Sequence, residues 1–171
     1  MARSRCPICQ APHRLLKGNP VRVLKGTARA LARIVSRTRR LRLTRRPKPG
    51  EWSGVEVMAH LADVEVAAAF RIRKIVAESR PVLTAFDQVA WARAFRYPRR
   101  DPREVLDTFR VVRDSNVRIL GSLSAAQKRR VGMHEEYGPI RLDQLAAHLA
   151  DHDLNHLNQI RQNLRSLASR R

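Results

Sequence analysis

No stretch of this chain approaches the roughly 18 consecutive apolar residues that a membrane-spanning helix needs. Its opening residues, MARSRCPICQAPHRLLKG, lack the apolar run of a secretory leader. Together these absences point to the cytoplasm. Cysteine is scarce: Cys6 and Cys9, in one CPIC group, are the only two. A closed structural zinc site wants four ligands. With His13 the group reads C-x2-C-x3-H and offers three. The thiols are then incidental to a mobile basic tail, a redox pair, or part of a metal site completed by another chain. Acid is missing from the whole front of the chain. Residues 1–50 carry 15 Lys and Arg and no Asp or Glu, so residues 51–171 contribute only +5 of the net +20. Such a front suggests an anionic partner, nucleic acid or a membrane surface. The alternative reading, which the composition favours, is a general preference for Arg, which makes up 30 of the 35 basic residues.

What is present is helical periodicity. The 171 residues suffice for one domain with a core, and we assign residues 1–18 to the tail and 19–171 to that domain. Asn19-Pro20 caps and starts a first helix. Its stripe of Leu24, Ala28, Leu31 and Val35 runs on to about residue 41, with Arg22, Arg29, Arg33 and Arg40 opposite. Pro47 and Pro49 then impose a loop. Ser53 with Glu56 forms a capping box for a second helix ending near Glu78. Residues 79–100 form a long connection with one short helix around Trp91. Asp101-Pro102 opens a third helix, and Ser124 with Gln127 a brief helical turn. Residues 130–140 read as an extended loop, and a last helix runs from about Leu142 to Ser169. No strand pattern stands out. Four long helices with a crossover predict an all-α four-helix bundle.

The polar residues on these faces carry the chemistry. His148, His152 and His156 are spaced by four on the last helix, so His152 and His156 adjoin at the edge of its apolar stripe. An H-x3-H pair on one face is a ready bidentate metal clip, although such histidines also serve as surface polar groups or core residues. His60 lies at the matching edge of the second helix. If the two helices are neighbours, three imidazoles converge and leave a coordination position open, the catalytic rather than the structural pattern. Glu65 and Arg113 each interrupt an apolar face. An unpaired buried charge is costly, so Arg113 should bond Glu65, with Asp153 as the alternative partner. Asp153, next to His152, is an acceptor for a ligand histidine or a buried structural acid. His134 borders the pocket or lies on a surface loop. His148 supports the ligands or is exposed. Tyr137 and Trp91 line a pocket or belong to the core.

The segments PGEWSGVEVMAHLADVE and GMHEEYGPIRLDQLAAHLADHDLNHLNQI resemble the DinB-like superfamily, which is distinct from the polymerase sharing that name. The connection RPVLTAFDQVAWARAFRYPRRDP fits as well, and the resemblance spans about residues 19–168. It implies a four-helix bundle, often a homodimer, with one divalent metal ion, zinc or nickel, on His60, His152 and His156. It also implies a metal-dependent enzyme that activates a bound water or small thiol for transfer or hydrolysis. The alternatives are a non-catalytic metal-binding or sensing bundle, and a weak, nonspecific binder of nucleic acid or membrane surfaces through the first helix. Two features depart from the family. Arg141 stands where a Ser or Thr usually opens the last helix, and the CPIC segment lies outside the resemblance.

Overall fold

The computed structural model describes residues 6–8, 10 and 13–169. Among the described residues, seven helices and three short strands follow one another. They are α1 (Pro20–Arg37), α2 (Arg40–Thr44), α3 (Gly54–Ala77), β1 (Val82–Leu83), α4 (Gln88–Ala94), α5 (Pro102–Ser122), α6 (Ala125–Lys128), β2 (Val131–His134), β3 (Gly138–Arg141) and α7 (Leu142–Ser166). A single 3-10 turn, Tyr97–Arg99, precedes α5.

The long helices start where local chemistry satisfies their first N–H groups. Asn19 accepts from Val21 N at 2.8 Å and Asp101 from Arg103 N at 2.8 Å, each followed by a proline at the first helical position. Ser53 and Glu56 complete the capping box of α3, and the backbone N–H of Ser53 donates to Glu56 Oε2 at 2.9 Å. At α7 the Arg141 side chain pairs with Asp143, and Gln144 Oε1 takes the Arg141 N–H at 3.0 Å.

The four long helices form the bundle: α1 packs on α5 and α7, and α3 packs on the same two. The interior is layered. One apolar cluster contains Leu31, Met58, Leu61, Phe109, Leu157 and Ile160, and a second contains Leu24, Ile72, Leu120, Leu145 and Leu149. Between them, at mid-height, lie Thr27, Glu65, Arg113, Asn116 and Asp153, all buried.

Two expectations need correction. The first helix does not continue to residue 41. It ends at Arg37, Thr38 is extended, and α2 turns away. The reorientation buries Leu43 against Gly54, where an added Cβ would sit 3.1 Å from the Leu43 side chain. Arg42 Nη2 also reaches Leu164 O at 2.8 Å. The segments read as loops also contain a sheet of order β1-β2-β3. β1 runs parallel to β2 with Leu83 opposite His134, and β2 and β3 form an antiparallel hairpin with Gly132 opposite Ile140. The sheet lies so close to α3 that a Cβ on Gly132 would fall 2.7 Å from Leu83 and 3.0 Å from Ile75. Among the described residues no helix is long and apolar enough to cross a membrane.

Candidate metal centre

The second and last long helices are neighbours, and their histidines meet. Asn163 Nδ2 donates to Trp52 O at 2.8 Å, tying the start of α3 to α7. The Trp52 ring packs on His60 with centroids 5.3 Å apart. His60 Nε2 lies 3.2 Å from His152 Nε2, which lies 3.1 Å from His156 Nε2. One nitrogen from each ring falls within 4.8 Å of the other two. Around a tetrahedral ion with metal–nitrogen bonds of 2.0–2.1 Å, ligand nitrogens stand about 3.3–3.4 Å apart. Both separations are close to that spacing.

The protonation states suit a ligand set. Burial, helped by the neighbouring His156, lowers His60 to about 4. Burial and the adjacent histidines hold His152 well below the ordinary histidine range, and burial lowers His156. All three are neutral at pH 7, so three lone-pair nitrogens face one point that a cation would satisfy. His156 Nδ1 lies 2.7 Å from Gln159 Oε1, an acceptor that fixes the proton on Nδ1 and frees Nε2. The Nδ1 atoms of His60 and His152 are buried with no hydrogen-bond partner among the described residues. Gln159 is therefore the side chain that sets a ring tautomer here.

His60 and His152 form the floor of a cleft of about 660 Å³. Its walls include Val64, Arg71, Phe86, Asp87, Glu136 and Leu149. His134 and Tyr137 line it from the β2–β3 hairpin, their rings stacked at 4.7 Å. His134 Nδ1 accepts the Glu136 N–H at 3.2 Å. His148 also lines the cleft, and burial followed by the nearby His13 lowers it to about 4. Trp91 is not part of the lining. It packs on Phe86 and Phe95, with centroids 4.6 and 5.7 Å away.

Asp153 supports no ligand histidine through a direct hydrogen bond; its carboxylate belongs to the buried triad. Arg113 Nη1 donates to Asp153 Oδ2 at 2.5 Å, and Nη2 to Asp153 Oδ1 at 3.1 Å and Glu65 Oε1 at 2.8 Å. Arg113 thus bonds both acids named as its partners. Burial opposes the guanidinium charge, but Asp153 and Glu65 more than offset this and hold its pKa above the usual arginine value.

Sequence reasoning overlooked Arg71, which lies on α3 one turn beyond Ala68 and lines the cleft. A charged residue on a mixed face looks like ordinary solvated polarity, and only the sheet packed beside it reveals a wall. Part of the segment before α1 is described and contacts α7. Cys6 is 3% exposed, and the N–H groups of Leu15 and Leu16 donate to Asp151 Oδ1 at 2.8 and 2.7 Å. Cys9 lies outside the described residues.

Comparison with known proteins places this geometry in context. A putative metal-dependent hydrolase of Oceanobacillus iheyensis is 28% identical over 114 residues, which span 66% of this chain and 65% of that protein. A protein of the same description from Halalkalibacterium halodurans is 25% identical over 126 residues, 72% of each chain. The solved structure of YfiT from Bacillus subtilis is described as a probable metal-dependent hydrolase with an unusual four-helix bundle topology. It superposes with a TM-score of 0.81 at 20% identity, covering 91% of this chain and 92% of YfiT. A mycothiol-dependent maleylpyruvate isomerase shares the fold at a TM-score of 0.66 and 9% identity, over 82% of this chain and 59% of the isomerase. The sequence model of the DinB superfamily matches residues 24–160, and the chain belongs to that superfamily.

Proposed function

We propose that His60, His152 and His156 hold one divalent cation, zinc or nickel, and that the cleft above them is the reaction site of a metal-dependent transferase or hydrolase. The observation that carries this reading is the convergence of three neutral imidazole nitrogens, two of whose rings, His60 and His152, line an open cleft. A divalent ion on three neutral ligands keeps its double charge and acidifies a coordinated water or small thiol.

The chain's own residues bind and orient. In this reading the nucleophile is the coordinated water or small thiol, and the side chains lining the cleft position the substrate. Arg71 is the arginine of the wall, its Nη2 anchored on Thr84 O at 2.5 Å. It is placed to hold a carboxylate or other anionic group of the substrate. His134, with Nδ1 occupied by the Glu136 N–H, keeps Nε2–H as a donor. The descriptions of the two curated relatives as metal-dependent hydrolases support the hydrolytic branch. The thiol dependence of the isomerase sharing the fold supports the thiol branch.

The test is a panel of thiol-conjugation and ester or amide hydrolysis assays with zinc, nickel or chelator. Turnover that requires the ion and disappears in His60→Ala is expected. If no substrate turns over with either metal, or His60→Ala stays active, the cluster is a binding or sensing site instead.

A further inference from the structure

The segment before α1 carries ligand chemistry that the three-histidine centre does not use. The Cys6 sulfur lies 3.6 Å from His148 Nδ1. The His13 ring is 6.4 Å, centroid to centroid, from that of His148. One ligand atom from each of Cys6, His13 and His148 lies within 4.8 Å of the other two. Cys6 and His13 belong to the C-x2-C-x3-H group that sequence alone left without a partner in the same chain. The fold supplies that partner from α7, 142 residues from Cys6.

We propose that Cys6, His13 and His148 form a second cation site, distinct from the three-histidine centre and selective for a borderline-soft divalent ion of the zinc class. A thiolate with two imidazoles matches such an ion and mismatches magnesium and calcium, which take oxygen ligands. Binding forms a metal–sulfur bond, breaks the Cys6 S–H bond and releases that proton to solvent.

The consequence is mechanical. Asp151 already holds the segment to α7 through the N–H groups of Leu15 and Leu16. Ile8, two residues after Cys6, lines the cleft. An ion at Cys6, His13 and His148 fastens the other end of the segment and fixes that part of the wall. His148 and His152 are one turn apart on α7, with ring centroids 5.9 Å apart, so the two sites share one rigid support.

Cobalt(II) titration of the full-length reduced protein tests this, because a thiolate ligand gives a charge-transfer band in the near ultraviolet and an all-histidine site does not. Wild type should bind two equivalents and show the band. His156→Ala should lose one equivalent and keep the band. Cys6→Ser and His148→Ala should each lose one equivalent and the band, with helix content by circular dichroism unchanged. His148→Ala carries the test alone if Cys6→Ser fails to fold. A wild-type protein without the band, or a band that survives both Cys6→Ser and His148→Ala, would overturn the site. Failure of the three-histidine reading looks different: the band would be present with one equivalent in wild type, and His156→Ala would change nothing.

Discussion

Arg113 of α5 grips Asp153 of α7 through two hydrogen bonds, at 2.5 and 3.1 Å, in the buried middle of the bundle. The same guanidinium reaches Glu65 of α3 at 2.8 Å and the Leu24 carbonyl of α1 at 3.0 Å. One side chain thus touches all four long helices in the layer that separates the two apolar clusters. Asn116 supports it by donating to Glu65 Oε2 at 3.0 Å.

Removing that cation leaves two buried carboxylates without their counter-charge. Arg113→Met should lower the unfolding free energy by about 3–5 kcal/mol, the usual cost of breaking a buried pair from one side. Replacing Arg113, Glu65 and Asp153 together by Met and Leu residues should cost much less, because no charge is then stranded. Urea denaturation of the two variants beside wild type makes the comparison. A single variant within about 1 kcal/mol of wild type would mean that water reaches the layer.

The metal-free protein should lose stability on mild acidification. His60 titrates near 4 when folded, against 6.5 in the unfolded chain, chiefly because it is buried. As the pH falls through 6.5, the unfolded chain binds a proton that the folded state refuses until about 4. Stability is therefore full above that window and drops within it. His60 alone accounts for about 2–3 kcal/mol between neutral pH and the lower end. His60→Asn should show a shallower loss than wild type when chelated samples are unfolded in urea across this range.

Much of this arrangement is legible in the sequence, and the legible parts share a cause. Asn19-Pro20, Ser53 with Glu56 and Asp101-Pro102 act within one helical turn, so their helix starts can be read without the fold. The His60, His152 and His156 convergence depends on two helices being neighbours, which stripe positions and family resemblance both indicated. The break after Arg37 was hidden because Thr38 and Arg39 are not helix breakers, and burial of Leu43 against α3 decides it. The strands span only two to four residues, too few for alternation to register. The Cys6–His148 contact joins the two ends of the chain, and no local pattern encodes it.

The basic face of α1, with Arg40 at the start of α2, should bind nucleic acid weakly and without sequence preference. Arg22, Arg29 and Arg33 are exposed on α1, and Arg40 is exposed on α2 rather than continuing the α1 face. Arg40 is partly engaged, 3.4 Å from Asp101. With few cations available, DNA binding should vanish by about 0.2 M salt. Changing the four arginines to Gln should abolish it without altering metal content. Fluorescence anisotropy on unrelated duplexes is the measurement. Salt-resistant binding to one sequence would make nucleic-acid recognition the principal function of the chain.

The last prediction concerns Gln159, which touches no reacting group. Its Oε1 lies 2.7 Å from His156 Nδ1, an acceptor position that stabilises the tautomer with Nε2 unprotonated and aimed at the other two histidines. His60 and His152 have no such support among the described residues, so orientation at the cluster rests disproportionately on this one contact. Gln159→Leu keeps the side-chain size and removes the acceptor. His156 can then rotate or place its proton on Nε2, and metal affinity at the three-histidine centre should fall about 10–100-fold. Gln159→Glu restores an acceptor and should restore or tighten binding, because a carboxylate also makes the imidazole more basic. Competition against a chromophoric chelator separates these outcomes, and the thiolate-dependent cobalt band at Cys6 serves as an internal control that should not move. Equal affinity in wild type and Gln159→Leu would show that packing against α3, rather than this hydrogen bond, sets the orientation of His156.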